Sequence, residues 1–274
     1  MLQRMRFAAF LLLMTIAQCH AQSTEYVDVE LVIAVDVSGS MSDKEHNTQR
    51  QGFLTAFEDQ QLIRTIQLGI RGRIAVTYIE WGNELSQRIL VPWRIISDHA
   101  SALAFRNELA TKERSAISGT SISGAMRFAA RLFENNGINS LKRVIDISGD
   151  GANRTGPLVD QMRDAVVGKG ITINGLPIML SPMIRRLTHG YGLNHYFEDC
   201  VIGGQSSFVF PVLRYDEFAE AIRRKLIIEI SQNWPSADGQ YVIHTSGKQN
   251  GESQLPERRA GRKADCQVGR IDQR

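Results

Sequence analysis

The sequence predicts an α/β fold, a single domain built on a doubly wound, mostly parallel sheet with helices on both faces. Three observations carry this reading. Residues 28–36 become continuously apolar, as a strand buried on both faces should. Further β-rich runs alternate along the chain with segments whose apolar residues recur at helical spacing, and that alternation argues a parallel sheet with right-handed crossovers. With 274 residues, 43% hydrophobic and 22% charged, the chain has the composition of an ordinary globular protein and the length for one substantial core.

The chain opens on a basic stretch, Met1–Arg6, followed by the apolar run 7–17 and the small-x-small site Cys19-His20-Ala21. This is the layout of a secretory signal over residues 1–21, and it is too short to span a bilayer comfortably. The protein is therefore expected to be exported, periplasmic or secreted. Lipoprotein anchoring through Cys19 is the alternative, disfavoured by Gln18 just before it. No later run has the length and apolarity of a membrane helix. Loss of Arg4 and Arg6 with the signal takes the formal charge from +3 to +1. No basic stripe with interleaved aromatics remains, which argues against nucleic acid as a partner. Cys200 and Cys266 would remain, and export permits a disulfide, but their spacing does not show that they meet. Without a C-x-x-C pair, neither a zinc knuckle nor a thioredoxin-type site is indicated.

After the strand 28–36, Ser42-x-x-Glu45 is a capping box that opens a helix to about Leu68, with Phe53, Phe57, Ile63 and Ile66 inward. Gly72 precedes a second strand, Arg73–Ile79. A third, Leu85–Val91, reads as an edge strand ended by Pro92. Ser97-Asp98 caps a helix to about Ala110, and Ser118-Gly119-Thr120-Ser121 starts another carrying Ile122, Ala125, Met126, Ala129, Leu132 and Phe133. A strand over Val144–Ser148 stops on Gly149-Asp150-Gly151. Pro157 begins a helix to about Val167, and Gly170 leads into the strand Ile171–Leu176. A short strand near Phe208–Phe210 precedes the last helix, about Tyr215–Gln232. The domain thus covers residues 26–234. Beyond Trp234-Pro235 the composition turns polar and rich in Gly, Ser, Gln and Arg, so residues 235–274 read as a disordered tail.

The chemistry collects where strands end. The first strand stops on Asp36-Val37-Ser38-Gly39-Ser40, which places hard oxygen ligands at the carboxyl edge of the sheet, where open α/β sheets bind ligands. Such donors suit Mg²⁺, Mn²⁺ or Ca²⁺. Ser-Gly-Ser after a strand is also ordinary turn and cap chemistry, so the pattern gains meaning from Thr120 before the mid-domain helix and Asp150 after the fourth strand.

These three loops, D-V-S-G-S, S-G-T-S and S-G-D-G, resemble in order and placement the metal-ion-dependent adhesion site of von Willebrand factor A domains. The likeness covers roughly residues 28–232. The stretches I-A-V-T-Y-I-E-W, R-V-I-D-I-S-G-D-G and I-N-G-L-P-I are similar to an uncharacterised bacterial family of exported proteins with such a domain. The resemblance implies a doubly wound fold of the von Willebrand factor A, or Rossmann-like, kind. It also implies that Ser38 and Ser40 coordinate a divalent cation directly and Thr120 directly or through water, with Asp36 and Asp150 balancing its charge. Mg²⁺ is the expected cation, with Mn²⁺ or Ca²⁺ as alternatives.

Two acids depart from the family pattern. Asp146 sits inside a strand where an apolar residue is usual, and Glu80 lies near the end of the second strand. Buried acids need partners. Arg73 or Arg143 could supply them, and the alternative is that Glu80 and Asp146 line a second polar site. Tyr78 and Trp81 read as packing residues, and His189 and His195 as surface histidines with no third ligand at metal spacing.

The leading functional reading is an exported binding module without catalysis, which recognises an Asp or Glu of a protein or peptide through its cation. A structural domain with a vestigial site is the second reading, and a metal-dependent hydrolase the third. A phosphotransferase using Asp36 would favour D-x-D, but Ser38 occupies that place. Gly119-Thr120-Ser121-Ile122-Ser123 lacks the closing Gly of a nucleophile elbow.

Overall fold

The computed structural model describes residues 24–115, 117–180, 192–231, 241–242 and 263–268. The expected signal over 1–21, Cys19 within it, His189 and most of the tail lie outside the described residues. The strands are β1 (Glu25–Asp36), β2 (Ile74–Trp81), β3 (Gln87–Ile96), β4 (Ile138–Gly149), β5 (Ile171–Pro177), β6 (Phe208–Val209) and β7 (Tyr241–Val242). They form one sheet in the order β3-β2-β1-β4-β5-β6-β7, with every neighbouring pair parallel except β2 and β3. The helices are α1 (Asp43–Ala56), α2 (Gln60–Gln67), α3 (His99–Thr111), α4 (Ile122–Arg131), α5 (Val159–Val167), α6 (Leu193–Tyr196) and α7 (Phe218–Ile230).

Successive residues of a strand face opposite sides of the sheet, so a strand covered on both faces must be apolar at every position. In β1, Leu31, Ile33 and Val35 pack with Phe53, Phe105 and Ile222 of α1, α3 and α7, and with Phe57 just after α1. Val32 and Ala34 join the opposite layer, with Met126, Ala129, Val159 and Tyr196 of α4, α5 and α6. The expected doubly wound architecture is the one seen.

Several boundaries differ from expectation, each for a local reason. The helix expected to run to Leu68 is two helices. Asp59 accepts the N–H groups of Gln61 and Leu62, at 2.8 and 3.0 Å, and so caps a new start at α2. Pro92 does not end the third strand. Pairing with β2 shifts register between Val76 and Tyr78, and this irregularity on the edge accommodates the proline, so β3 continues to Ile96. The strand expected over Val144–Ser148 begins six residues earlier, at Ile138. Helix α5 begins at Val159 rather than Pro157, and α7 is preceded by a single 3₁₀ turn over Tyr215–Glu217.

Two pieces of the polar tail are packed, which departs there from the disorder that its composition predicts. Tyr241–Val242 pairs with β6 as the outer strand. Cys266 forms a disulfide with Cys200, and the Ala264 N–H donates to Asp199 Oδ2 at 2.7 Å. Among the described residues no helix is long and apolar enough to cross a membrane.

Candidate functional site

Strands β1 and β4 are neighbours with Val35 opposite Ser148, so they deliver Asp36 and Asp150 side by side at the carboxyl edge. Asp36 Oδ1 accepts the Ser38 N–H at 2.7 Å. The hydroxyls of Ser38 and Ser40 lie 2.9 Å apart, and Ser40 Oγ donates to Asp150 Oδ1 at 2.7 Å. One chain of hydrogen bonds thus links four of the five residues expected to form the site.

Thr120 reaches the same edge by another route. It precedes α4, whose N-cap is Ser121, and its carbonyl accepts the N–H groups of Arg154 and Thr155 at 2.9 and 3.3 Å. The loop that begins with Asp150 is therefore stitched to the loop that carries Thr120. Asn153, which no sequence motif marks, reinforces that seam. Its side-chain oxygen accepts from the Ser123 N–H and hydroxyl at 3.0 and 3.2 Å, and its amide donates to the Pro157 carbonyl at 3.2 Å.

The electrostatics are those of a site short of positive charge. Asp36 is fully buried, and both its Oδ2 and that of Asp150 lack a hydrogen-bond partner among the described residues. Burial, and then the neighbouring charge of Asp150, push the Asp36 carboxyl up to about 8. Burial also raises Asp150, against the hydrogen bond from Ser40. A Cβ on Gly149 would lie 3.1 Å from Asp36 Oδ2 and 3.3 Å from the Trp81 ring, so a glycine keeps this approach open. Two like-charged acids facing hydroxyls form a donor set that fits a hard divalent cation. Among the described residues no three His, Cys, Asp or Glu side chains cluster as a metal site.

His46, also unmarked in the sequence, packs on the backbone of Ser38. Burial, and then Arg114, pull its ring down to about 4, which keeps it neutral at physiological pH.

The two unusual acids have partners other than those expected. Glu80 meets Arg50 at 3.1 Å and accepts the Ser115 N–H at 2.8 Å. Asp146 meets Lys225 Nζ at 2.6 Å, and Lys225 also meets Glu229. Arg73 pairs instead with Glu25, and Arg143 donates to the Lys169 carbonyl. Arg143 and Asp146 are an odd number of residues apart on one strand and face opposite sides of the sheet. Arg73 and Glu80 are separated by about 23 Å of strand, at roughly 3.3 Å per residue.

Tyr78 and Trp81 are buried in the core, as expected of packing residues. His195 is not on the surface. It is buried, with Nδ1 3.1 Å from Glu198 Oε2.

A family model described as "Protein of unknown function (DUF1194)" matches residues 26–234. No curated protein sequence matches the chain. Among solved structures, proximal thread matrix protein 1 from the mussel byssus, with a zinc-occupied MIDAS motif, is similar at a TM-score of 0.52 and 10% identity, covering 74% of this chain and 46% of that one. The pilus adhesin SpaC from Lactobacillus rhamnosus GG is similar at a TM-score of 0.55 and 12% identity, covering 76% and 31%. A von Willebrand factor type A structure from Catenulispora acidiphila gives 0.49 and 17%, covering 75% and 43%. The chain spans less than half the length of each of these. The fold is of the von Willebrand factor A type.

Proposed function

We propose, from the premise that this chain belongs to the DUF1194 family, that it is an exported, metal-dependent binding module with no catalysis of its own. Asp36, Ser38, Ser40, Thr120 and Asp150 would hold one divalent cation, with Mg²⁺ the first expectation and Mn²⁺ or Ca²⁺ the alternatives. The observation that carries this reading is the pair of buried carboxylates, each with one oxygen left without a hydrogen bond. Separating or neutralising those charges needs either protons or a cation, and the hydroxyls of Ser38 and Ser40 are neutral donors for the latter. When bound, the cation supplies an electrophilic centre for an acidic group. The von Willebrand factor A fold and its likeness to an adhesin and a matrix protein support a protein or peptide as the partner, contributing an Asp or Glu carboxylate.

Capture from an envelope extract tests this directly. Partner retention is expected with Mg²⁺ and not with excess chelator, and Thr120→Ala is expected to weaken retention more than it weakens cation binding. A partner held equally well in chelator would overturn the reading.

Export is supported by the basic-apolar-small layout of residues 1–21 and by the disulfide between Cys200 and Cys266, a bond that persists in oxidising compartments. N-terminal sequencing of the expressed protein is expected to start close to Gln22. Intact Met1 on cytosolic protein would refute export, and lipid on Cys19 would establish the anchored form instead.

A further inference from the structure

Glu80 and Arg50 lie outside the five-residue site, and both belong to elements that border it. Glu80 sits opposite Val35 in the sheet, one residue back from Asp36. Its side chain is 1% exposed. One of its oxygens meets Arg50 of α1, the helix that follows the Ser38–Ser40 loop, at 3.1 Å. The other accepts the N–H of Ser115, in the segment that leads from α3 to Thr120, at 2.8 Å. Arg50 in turn donates to the Lys112 carbonyl at the head of that segment. The segment's far end is tied to the end of β2 by the Ser121 N–H, which donates to the Gly82 carbonyl at 2.7 Å.

Between these ties the described residues form no helix or strand of their own. The ion pair therefore joins the two halves of the edge, with the Asp36 loop and α1 on one side and the Thr120 approach on the other. A pair of a buried two-headed acid and a partly buried forked guanidinium is suited to this task, because each partner has a second group free to grip backbone.

We infer that Glu80, through Arg50 and Ser115, is a positioning residue that holds Thr120 at the cation. The inference rests on the cation reading above. It assigns Glu80 a role in the same centre rather than in a separate polar site. Glu80 touches none of the five ligands and acts on Thr120 through the backbone that begins at Ser115, so its effect is expected at the lower end of the about 10–100-fold by which direct partners of metal ligands change affinity.

The test is Mn²⁺ affinity by titration calorimetry on the exported, disulfide-bonded chain, for wild type, Thr120→Ala, Glu80→Gln and the double variant. Glu80→Gln keeps the shape and removes the charge that holds Arg50. It is expected to weaken Mn²⁺ by about 10-fold, close to the loss in Thr120→Ala, and the double variant is expected to bind no more weakly than Thr120→Ala. Such non-additivity is the mark of positioning, since a purely structural role would lower the melting temperature and leave the two losses independent. Arg50→Lys, which keeps the charge and loses the fork, is the second variant should Glu80→Gln fail to fold, and a smaller loss with the same non-additivity is expected. Unchanged affinity in Glu80→Gln or multiplying losses would overturn the inference while the cation reading stands, and no effect of Thr120→Ala would overturn the inference and remove Thr120 from the cation's ligands. Wild type that binds no Mn²⁺ would overturn both.

Discussion

Asp36→Asn is expected to make the cation-free protein more stable at about pH 8 and to flatten its stability across the range from about pH 4 to 8. The sign follows from the direction of the shift. The folded carboxyl stands near 8, above the 3.8 of an unperturbed Asp. A raised pKa contributes stability that is fully present below the unfolded value and is lost as pH rises through the folded one. At about 1.4 kcal/mol per pH unit, the loss for wild type in chelator is on the order of 5 kcal/mol. Asp150 is raised as well and shares the proton balance, so the two acids titrate as a pair. Asparagine carries no charge to desolvate or to repel Asp150. Urea unfolding in chelator at several pH values is the measurement. Wild type and variant should nearly coincide near pH 4 and diverge by several kcal/mol near pH 8, whereas parallel profiles would show that the acid pair is not under charge stress.

Addition of Mg²⁺ or Mn²⁺ at about 100-fold over its dissociation constant is expected to raise the melting temperature by about 5–11 °C. A ligand that binds only the folded state contributes about 2.7 kcal/mol at that excess. Each kcal/mol moves the midpoint of a domain of this size by about 2–4 °C. Asp36→Ala should lose nearly all of the increment while its cation-free form melts no lower than wild type, since the substitution also removes a buried charge. Ligands must be deprotonated to bind, so the increment should grow with pH and level off above about 8. An equal rise in Asp36→Ala would place the cation elsewhere.

What could be read from the sequence was the local chemistry. The capping box at Ser42 is written in residues three apart and is present, and the cap expected at Ser97-Asp98 is Asp98. The continuous apolar run in β1 announced a strand buried on both faces, and that in turn required helices on both sides of the sheet. Asp36, Ser38 and Ser40 fall within one five-residue motif, which is why their common location was legible. The connections that were missed all depend on distant residues. Glu80 finds Arg50 from another element, His195 is buried by packing that its own neighbours do not encode, and Cys200 meets Cys266 across a separation of 66 residues. The break at Asp59 was local but hidden, because the apolar residues on either side keep helical spacing through it.

The most direct test of the cation centre is anomalous scattering from crystals of the protein grown with Mn²⁺. A single strong peak between the carboxylates of Asp36 and Asp150, in contact with the hydroxyls of Ser38 and Ser40, is the expected result. That peak should be absent from crystals of Asp36→Ala. No peak at this edge in saturating Mn²⁺, or a peak that survives in Asp36→Ala, would contradict the assignment.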